Sequence, residues 1–356
     1  MRILYIANGG FKYRAQRFYL SDTRFANGLV RNGHMLWFFS DRDLLRMLSP
    51  LHMRYFGLSE VNKDLLKVVH HFQPEAIILA NAEIVTTRTL LKIRQHHPHI
   101  RIAQINVDAI FHPYNRANYL DRVPAVDMQF FTTGGAALRD FATADKPCYF
   151  IPNPVDDSID TGRAHALADP QFDLTCAMTV DEKFIDGRTR RDLALGVQAR
   201  LPQLKTCYRG FGGKSMLRGQ EYIRTYSHSA MALSLSQHIA SNVESTPAQR
   251  YLYSSDRLAH IMGNGALAFA SDMFALDQLF TNEEIVSFSA LEDLAEKVRF
   301  YAEHPGARQE RARRGWQKAH RDFNTRTVMQ YVVERLFDRP LSQDYAWPTE
   351  PYLRGA

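Results

Sequence analysis

Apolar residues in this chain gather in short runs, separated by longer stretches where they recur every three or four positions. The runs read as buried β-strands, and the longer stretches as helices with one apolar face. In the first half, strands are expected near 2–8, 35–40, 76–80, 101–107, 126–131 and 148–151. Helices are expected near 21–32, 59–72, 86–96 and 134–143. The connections are long enough for right-handed crossovers, so the pattern predicts mainly parallel sheets. Ile151-Pro152-Asn153-Pro154-Val155-Asp156 then interrupts it. Two prolines fix two φ angles and remove two amide donors, which makes this the best domain boundary. The alternation restarts with strands near 172–178, 204–209, 230–235, 266–271 and 285–287. Helices follow near 188–199, 219–226, 255–263, 291–303 and 306–320, with a last amphipathic helix from Thr325 to Leu336. The class this predicts is α/β. The tail from Pro340 to Ala356 has Pro, Tyr and Trp but no period, and reads as a packed arm or a partly disordered end.

One stretch carries more information than the rest. Ser255-Asp256-Arg257-Leu258-Ala259-His260-Ile261-Met262-Gly263-Asn264-Gly265-Ala266 reads as a helix running into the apolar strand Leu267-Ala268-Phe269-Ala270. Ser255 is a good N-cap, and Gly265 supplies the left-handed residue that ends a helix. Arg257 and His260, three apart, share a face. A polar face at a helix terminus beside a parallel strand is where α/β proteins bind phosphates and nucleotides. A surface helix with ordinary charges is the alternative.

Other candidates follow the same logic. Asp108 ends the strand 101–107, where side chains point into a ligand crevice, and His112 follows it. Either is a candidate base toward a hydroxyl, and a turn cap is the alternative for Asp108. Arg209-Gly210-Phe211-Gly212-Gly213-Lys214 follows a strand. Glycine amides beside Arg209 and Lys214 suit a diphosphate, although the spacing is not that of a Walker loop. Gly9 and Gly10 follow the first strand and relieve a tight turn, without completing a dinucleotide fingerprint. Asp41-Arg42-Asp43 has the letters of a metal motif but lies in the first half, so no metal or cofactor is expected.

Composition narrows the partners. Apolar residues make up 45% and charged residues 23%, ordinary for a globular protein, and 356 residues permit one large or two medium domains. The three cysteines, Cys148, Cys176 and Cys207, lie far apart and read as buried thiols of a reducing compartment. No run is long enough to span a bilayer, and the first apolar run is too short for a signal peptide. The expected location is cytoplasmic. A net charge of +6, with clusters such as Arg188, Arg190 and Arg191, suits nucleotide phosphates or the anionic inner face of a membrane. Solvated helix faces are the plainer account. No nucleic-acid recognition motif is present.

The ordered set of features in the second half resembles GT-B glycosyltransferases, most closely the spore-maturation-protein-like group. It comprises the glycine loop at 209–214, Gln220-Glu221-Tyr222, the 255–266 segment, Thr281-Asn282-Glu283-Glu284 and His304-Pro305. The resemblance covers roughly 145–335 well and the start only in outline. It implies two Rossmann-like domains facing a cleft. Residues 1–151 would form the acceptor side, 152–322 would bind a nucleotide sugar, and 323–356 would carry a helix and tail that pack back on the first domain. It implies an acceptor-side role for Gly9 and Gly10, and donor contacts from Arg209, Gly212, Lys214, Ser255, Arg257, His260 and Glu284. It departs from the family at His260 and Leu252, where glutamates are usual, which puts the usual ribose contact in doubt. The implied activity is metal-independent transfer from a nucleotide sugar to a glycan, lipid-linked or protein acceptor. A non-catalytic scaffold binding a sugar, nucleotide or partner, and a sugar-nucleotide epimerase, are the alternatives.

Overall fold

The computed structural model describes residues 1–49, 54–108, 110, 113–181, 183, 185–236 and 250–354. The chain divides into two units, Met1–Pro152 joined by Thr325–Ala356, and Asn153–Asn324. Each is built on one parallel sheet.

The first sheet has six strands: β1 (Arg2–Ala7), β2 (Met35–Ser40), β3 (Ala76–Ala80), β4 (Arg101–Asn106), β5 (Met128–Phe131) and β6 (Cys148–Phe150). Their order is β2-β1-β3-β4-β5-β6. Both faces of the inner strands are covered, which is why they read as unbroken apolar runs rather than alternating ones. All five positions of β3 are buried. The covering helices are α1 (Ser21–Arg31), α2 (Asp41–Met47), α3 (Arg54–Phe72), α4 (Thr87–His96) and α5 (Pro113–Arg122). The last helix of the chain, α11 (Thr325–Leu336), packs on α1. The approach is close because Gly28 has no side chain: a Cβ there would lie 2.3 Å from the Thr325 carbonyl oxygen.

The tail is ordered against this unit. Cys148 and Tyr352 exchange backbone hydrogen bonds of 3.0 and 2.9 Å, covering the β6 edge. Trp347 is buried against Tyr331 and Tyr345. The buried Glu334 accepts from the Tyr345 hydroxyl at 2.7 Å and from the Gln330 amide at 2.7 Å.

The second sheet has β7 (Phe172–Ala177), β8 (Thr206–Arg209), β9 (Ser229–Ser234), β10 (Leu267–Ser271) and β11 (Val286–Phe288), in the order β11-β10-β9-β7-β8. Its helices are α6 (Ile185–Arg200), α7 (Gly219–Ser227), α8 (Asp256–Gly263), α9 (Leu291–Glu303) and α10 (Pro305–Asp322). In both sheets the first strand of the unit lies beside the third. The strand order therefore reverses between β1 and β3, and again between β7 and β9.

The expected elements and the observed ones differ in three places. The helix expected at 134–143 is only a 3-10 turn over Ala136–Phe141. Helices α2 and α5 were not expected at all. Asp41-Arg42-Asp43 is the first turn of α2, and α5 runs over Pro113–Arg122.

Candidate functional site

In open parallel sheets, ligands bind outside the carboxyl ends of the strands where the strand order reverses. In the second unit that point is the β7–β9 junction, and Arg257 occupies it. Its Nε donates to the Ala177 carbonyl at 3.0 Å and its Nη1 to the Leu235 carbonyl at 2.8 Å. One guanidinium thus ties the ends of the two strands together.

Helix α8 presents Arg257 because its start and end are both capped. Ser255 Oγ accepts from the Leu258 amide at 3.2 Å. At the other end Gly265 takes φ 80°, its amide donates to Met262 at 3.0 Å, and the Ala266 amide donates to Ile261 at 3.2 Å. These two bonds form a Schellman ending. Ser255 Oγ also lies 3.4 Å from Ser234 Oγ at the end of β9, so the helix start is held at the same sheet edge.

Arg190, on α6, is a second buried cation there, unsingled by the sequence beyond its place in a basic cluster. It is 4% exposed, pairs with Asp186 at 3.1 Å, and lies 3.5 Å from the Thr179 carbonyl, just past β7. Burial lowers its pKa, and Arg257 is close enough to lower it further.

The glycine loop leaves the end of the neighbouring strand β8. Gly210 has φ 85°, and a Cβ on it would meet the Met178 carbonyl oxygen at 2.2 Å, so glycine is required. Its amide closes the loop on Lys214 O at 3.1 Å. Gly212 and Gly213 also have positive φ and stand in open space. Arg209 is half-buried, with Nη1 3.2 Å from Tyr208 O, and Lys214 is exposed. The edge therefore gathers Arg190, Arg209, Lys214, Ser255 and Arg257.

Two expected donor contacts are not at this edge. His260 is wholly buried, with Nδ1 3.2 Å from the buried Asp160 carboxylate and its ring edge-on to Tyr222. Asn264 donates to the same carboxylate at 3.1 Å. The ring lies in the interior of the unit, between Asp160 and Tyr222. Glu284 precedes β11, and parallel pairing of Phe269 with Val286 puts it at the opposite end of the sheet. Its carboxylate closes its own turn on the Thr281 hydroxyl at 2.9 Å.

In the first unit the reversal lies between β1 and β3. Gly9 and Gly10 follow β1, but their amides turn inward. Gly9 N donates to Ser40 Oγ at 2.8 Å, Gly10 N to Asn8 Oδ1 at 3.1 Å, and Phe11 N to Asp43 Oδ2 at 3.2 Å. The side chains of Ser40, Asn8 and Asp43 thus satisfy these three amides. Beside the loop, Asn8, Gly9, Gly10, Ala15, Phe18 and Thr23 line a cavity of about 290 Å³.

Asp108 is exposed just past the end of β4, with its amide donating to Asn106 Oδ1 at 2.7 Å. His112 lies outside the described residues. Sequence reasoning missed Asp22, in the first turn of α1. Burial, then the charge of Asp41, raises its pKa to about 7, with Asp108 adding to the rise and Arg42 opposing it. Asp41 is itself wholly buried and accepts from the Ile84 amide at 3.0 Å. No local signal marks this cluster, because its members come from α1, α2 and the end of β4.

All three cysteines are free and buried. No described helix is long and apolar enough to cross a membrane. Among the described residues no group of three or more His, Cys, Asp or Glu is placed to hold a metal ion.

Residues 196–334 match the family model described as glycosyl transferase-like. The whole fold is similar to that of sucrose-phosphate synthase from Thermosynechococcus elongatus, at 12% identity and a TM-score of 0.58, over 95% of this chain and 99% of that one. It is similar to Anabaena HepE solved with UDP and glucose, at 13% identity and a TM-score of 0.59, over 95% and 99%. It also resembles a glycosyltransferase from Rickettsia africae, at 10% identity and a TM-score of 0.58, over 95% and 98%. No curated protein matches the sequence. The fold is thus one shared with solved glycosyltransferase structures, and the segment 196–334 is glycosyl transferase-like.

Proposed function

We propose that the protein transfers a sugar from a nucleotide sugar, bound at the β7–β9 edge, to an acceptor hydroxyl. The observation that carries this reading is Arg257 spanning the ends of β7 and β9 at the reversal of strand order. With Arg190, Arg209 and Lys214 it gives the edge a cationic character suited to a diphosphate, whose growing negative charge on bond cleavage these groups stabilise. Gly212 lets the loop backbone approach the phosphates, and Ser255 holds α8 in place. The complex of HepE with UDP and glucose supports a uridine nucleotide as the first to try.

The acceptor side is assigned to the first unit, with Asp108 as the base and Gly9 and Gly10 shaping the loop beside it. A carboxylate at a strand end is placed to take a hydroxyl proton. The acceptor is a glycan, a lipid-linked sugar or a protein, and the location is cytoplasmic, against an anionic membrane face. Transfer needs no metal in this reading, since Arg and Lys supply the positive charge.

Thermal shift of the full chain with UDP, GDP, CMP and ADP tests the donor side, because a ligand raises apparent stability by mass action. One nucleotide should stand out, and no shift with any of them counts against the reading. The second reading, a binding scaffold without catalysis, is favoured by one feature: His260 stands where a ribose-binding glutamate is usual. Nucleotide-sugar binding without hydrolysis or transfer would select it.

A further inference from the structure

The open edge of the first sheet carries an unusual surface. Strand β2 is the edge strand, and its Met35, Trp37 and Phe38 are 62%, 51% and 37% exposed. Phe11, at 69%, and Met47, at 75%, stand beside it. Phe11, Trp37, Phe38 and Met47 line one open groove of about 440 Å³, floored by Leu44 and Val68. Single exposed apolar residues are ordinary, but a contiguous aromatic patch marks a contact surface.

The lining of this groove holds two carboxylates, Asp43 and Asp64, and one lysine, Lys67. Its carboxylates are already paired: Asp43 with Arg46 at 2.7 Å and Asp64 with Lys67 at 2.8 Å. Lys12, Arg14 and Arg17 remain as the excess charge, on the turn that begins with Phe11. Lys12 and Arg17 lie 4.7 and 4.3 Å from the Tyr13 ring centroid, and Phe11, the first residue of the turn, lines the groove with its amide donating to Asp43 Oδ2 at 3.2 Å. Apolar aromatic side chains bordered by cations suit a surface that is itself apolar below and anionic above.

We propose that this patch docks the protein on an anionic phospholipid bilayer, with Phe11, Trp37 and Met47 entering the acyl boundary and Lys12, Arg14 and Arg17 meeting the headgroups. A second copy is a poorer occupant, because an isologous contact would bring the same excess positive charge together from both chains. The inference deepens the membrane side of the function proposed above, and its readout is separate from nucleotide binding.

The test is flotation of the full chain with vesicles of phosphatidylglycerol and phosphatidylethanolamine, compared with phosphatidylcholine alone. Binding should be confined to the anionic vesicles and should weaken with salt. Lys12→Gln/Arg14→Gln/Arg17→Gln should lower partitioning by about a hundredfold, the sum of three headgroup contacts. Phe11→Ser/Met47→Gln should lower it as well, with circular dichroism unchanged. Brominated acyl chains should quench an emission component that Trp37→Phe removes. Equal binding to neutral vesicles, no vesicle binding, or binding indifferent to both sets of variants would overturn the proposal. So would a dimer, or capture of a protein partner, that is lost in Phe11→Ser/Met47→Gln while vesicles are ignored. Vesicle binding without nucleotide binding would leave this proposal standing and remove the transfer reading.

Discussion

Asp22 offers a quantitative test of the first unit. The folded protein holds its proton far more tightly than an unfolded aspartate does, with a pKa raised from 3.8 to about 7. The stability contributed by the protonated carboxyl is complete below pH 3.8 and is lost as pH rises towards 7. A shift of that size corresponds to roughly 4 kcal/mol between the two limits. Asp22→Asn keeps the shape and the acceptor oxygen for the Asn8 amide, and it never ionises. The variant should therefore be more stable than wild type above pH 7, and the gap should widen by roughly 3 kcal/mol from pH 5 to pH 8. Denaturant unfolding in a Trp316→Phe background reads the first unit, because Trp37 and Trp347 both belong to it. Titrating groups remote from Asp22 are common to both proteins and cancel, whereas Asp41 and Asp108 lose a repelling neighbour in the variant. A gap that does not change with pH, or a variant less stable at pH 8, would refute the account of a buried, repelled carboxyl.

Arg209→Ala and Lys214→Ala should each weaken nucleotide binding by about 1.5–3 kcal/mol, read by calorimetry, with folding unchanged. Arg257→Ala should abolish measurable binding and also lower the melting temperature, because two strand-end carbonyls lose their donor. Asp108→Asn should cut transfer by about 10²–10⁴-fold while donor affinity stays the same, measured once a donor is known. Gly28→Ala should destabilise the first unit by roughly 1–3 kcal/mol in denaturant unfolding, since its Cβ would crowd the Thr325 carbonyl.

The parallel strands were legible because buried strands are continuous apolar runs with breakers between them, and α8 was legible because Ser255 and Gly265 carry local capping chemistry. Helix α11 kept its expected bounds, since its apolar period spans three turns. Elements stabilised by distant partners were not legible. Helix α2 is a seven-residue helix whose carboxylates serve other segments: Asp43 holds the Phe11 amide and Asp41 the Ile84 amide. The tail packs through Tyr345, Trp347 and Tyr352 one contact at a time, so it shows no period.

The site divides in the same way. Placing cations at a strand end was within reach of the sequence, because glycine loops and helix starts are local. Which side of α8 faces the interior was not, because that depends on Asp160, 100 residues before His260. The β11 register that sends Glu284 to the far edge is likewise a property of pairing between strands.

The central claim is that donor nucleotide is held at the carboxyl edge of the second sheet. Hydrogen exchange on the full chain, with and without UDP or whichever nucleotide shifts its melting, tests this most directly. The account predicts protection concentrated in the segments after β7 and β8 and at the start of α8, around residues 177–181, 209–214 and 255–258. Protection confined to residues before 150 would contradict it.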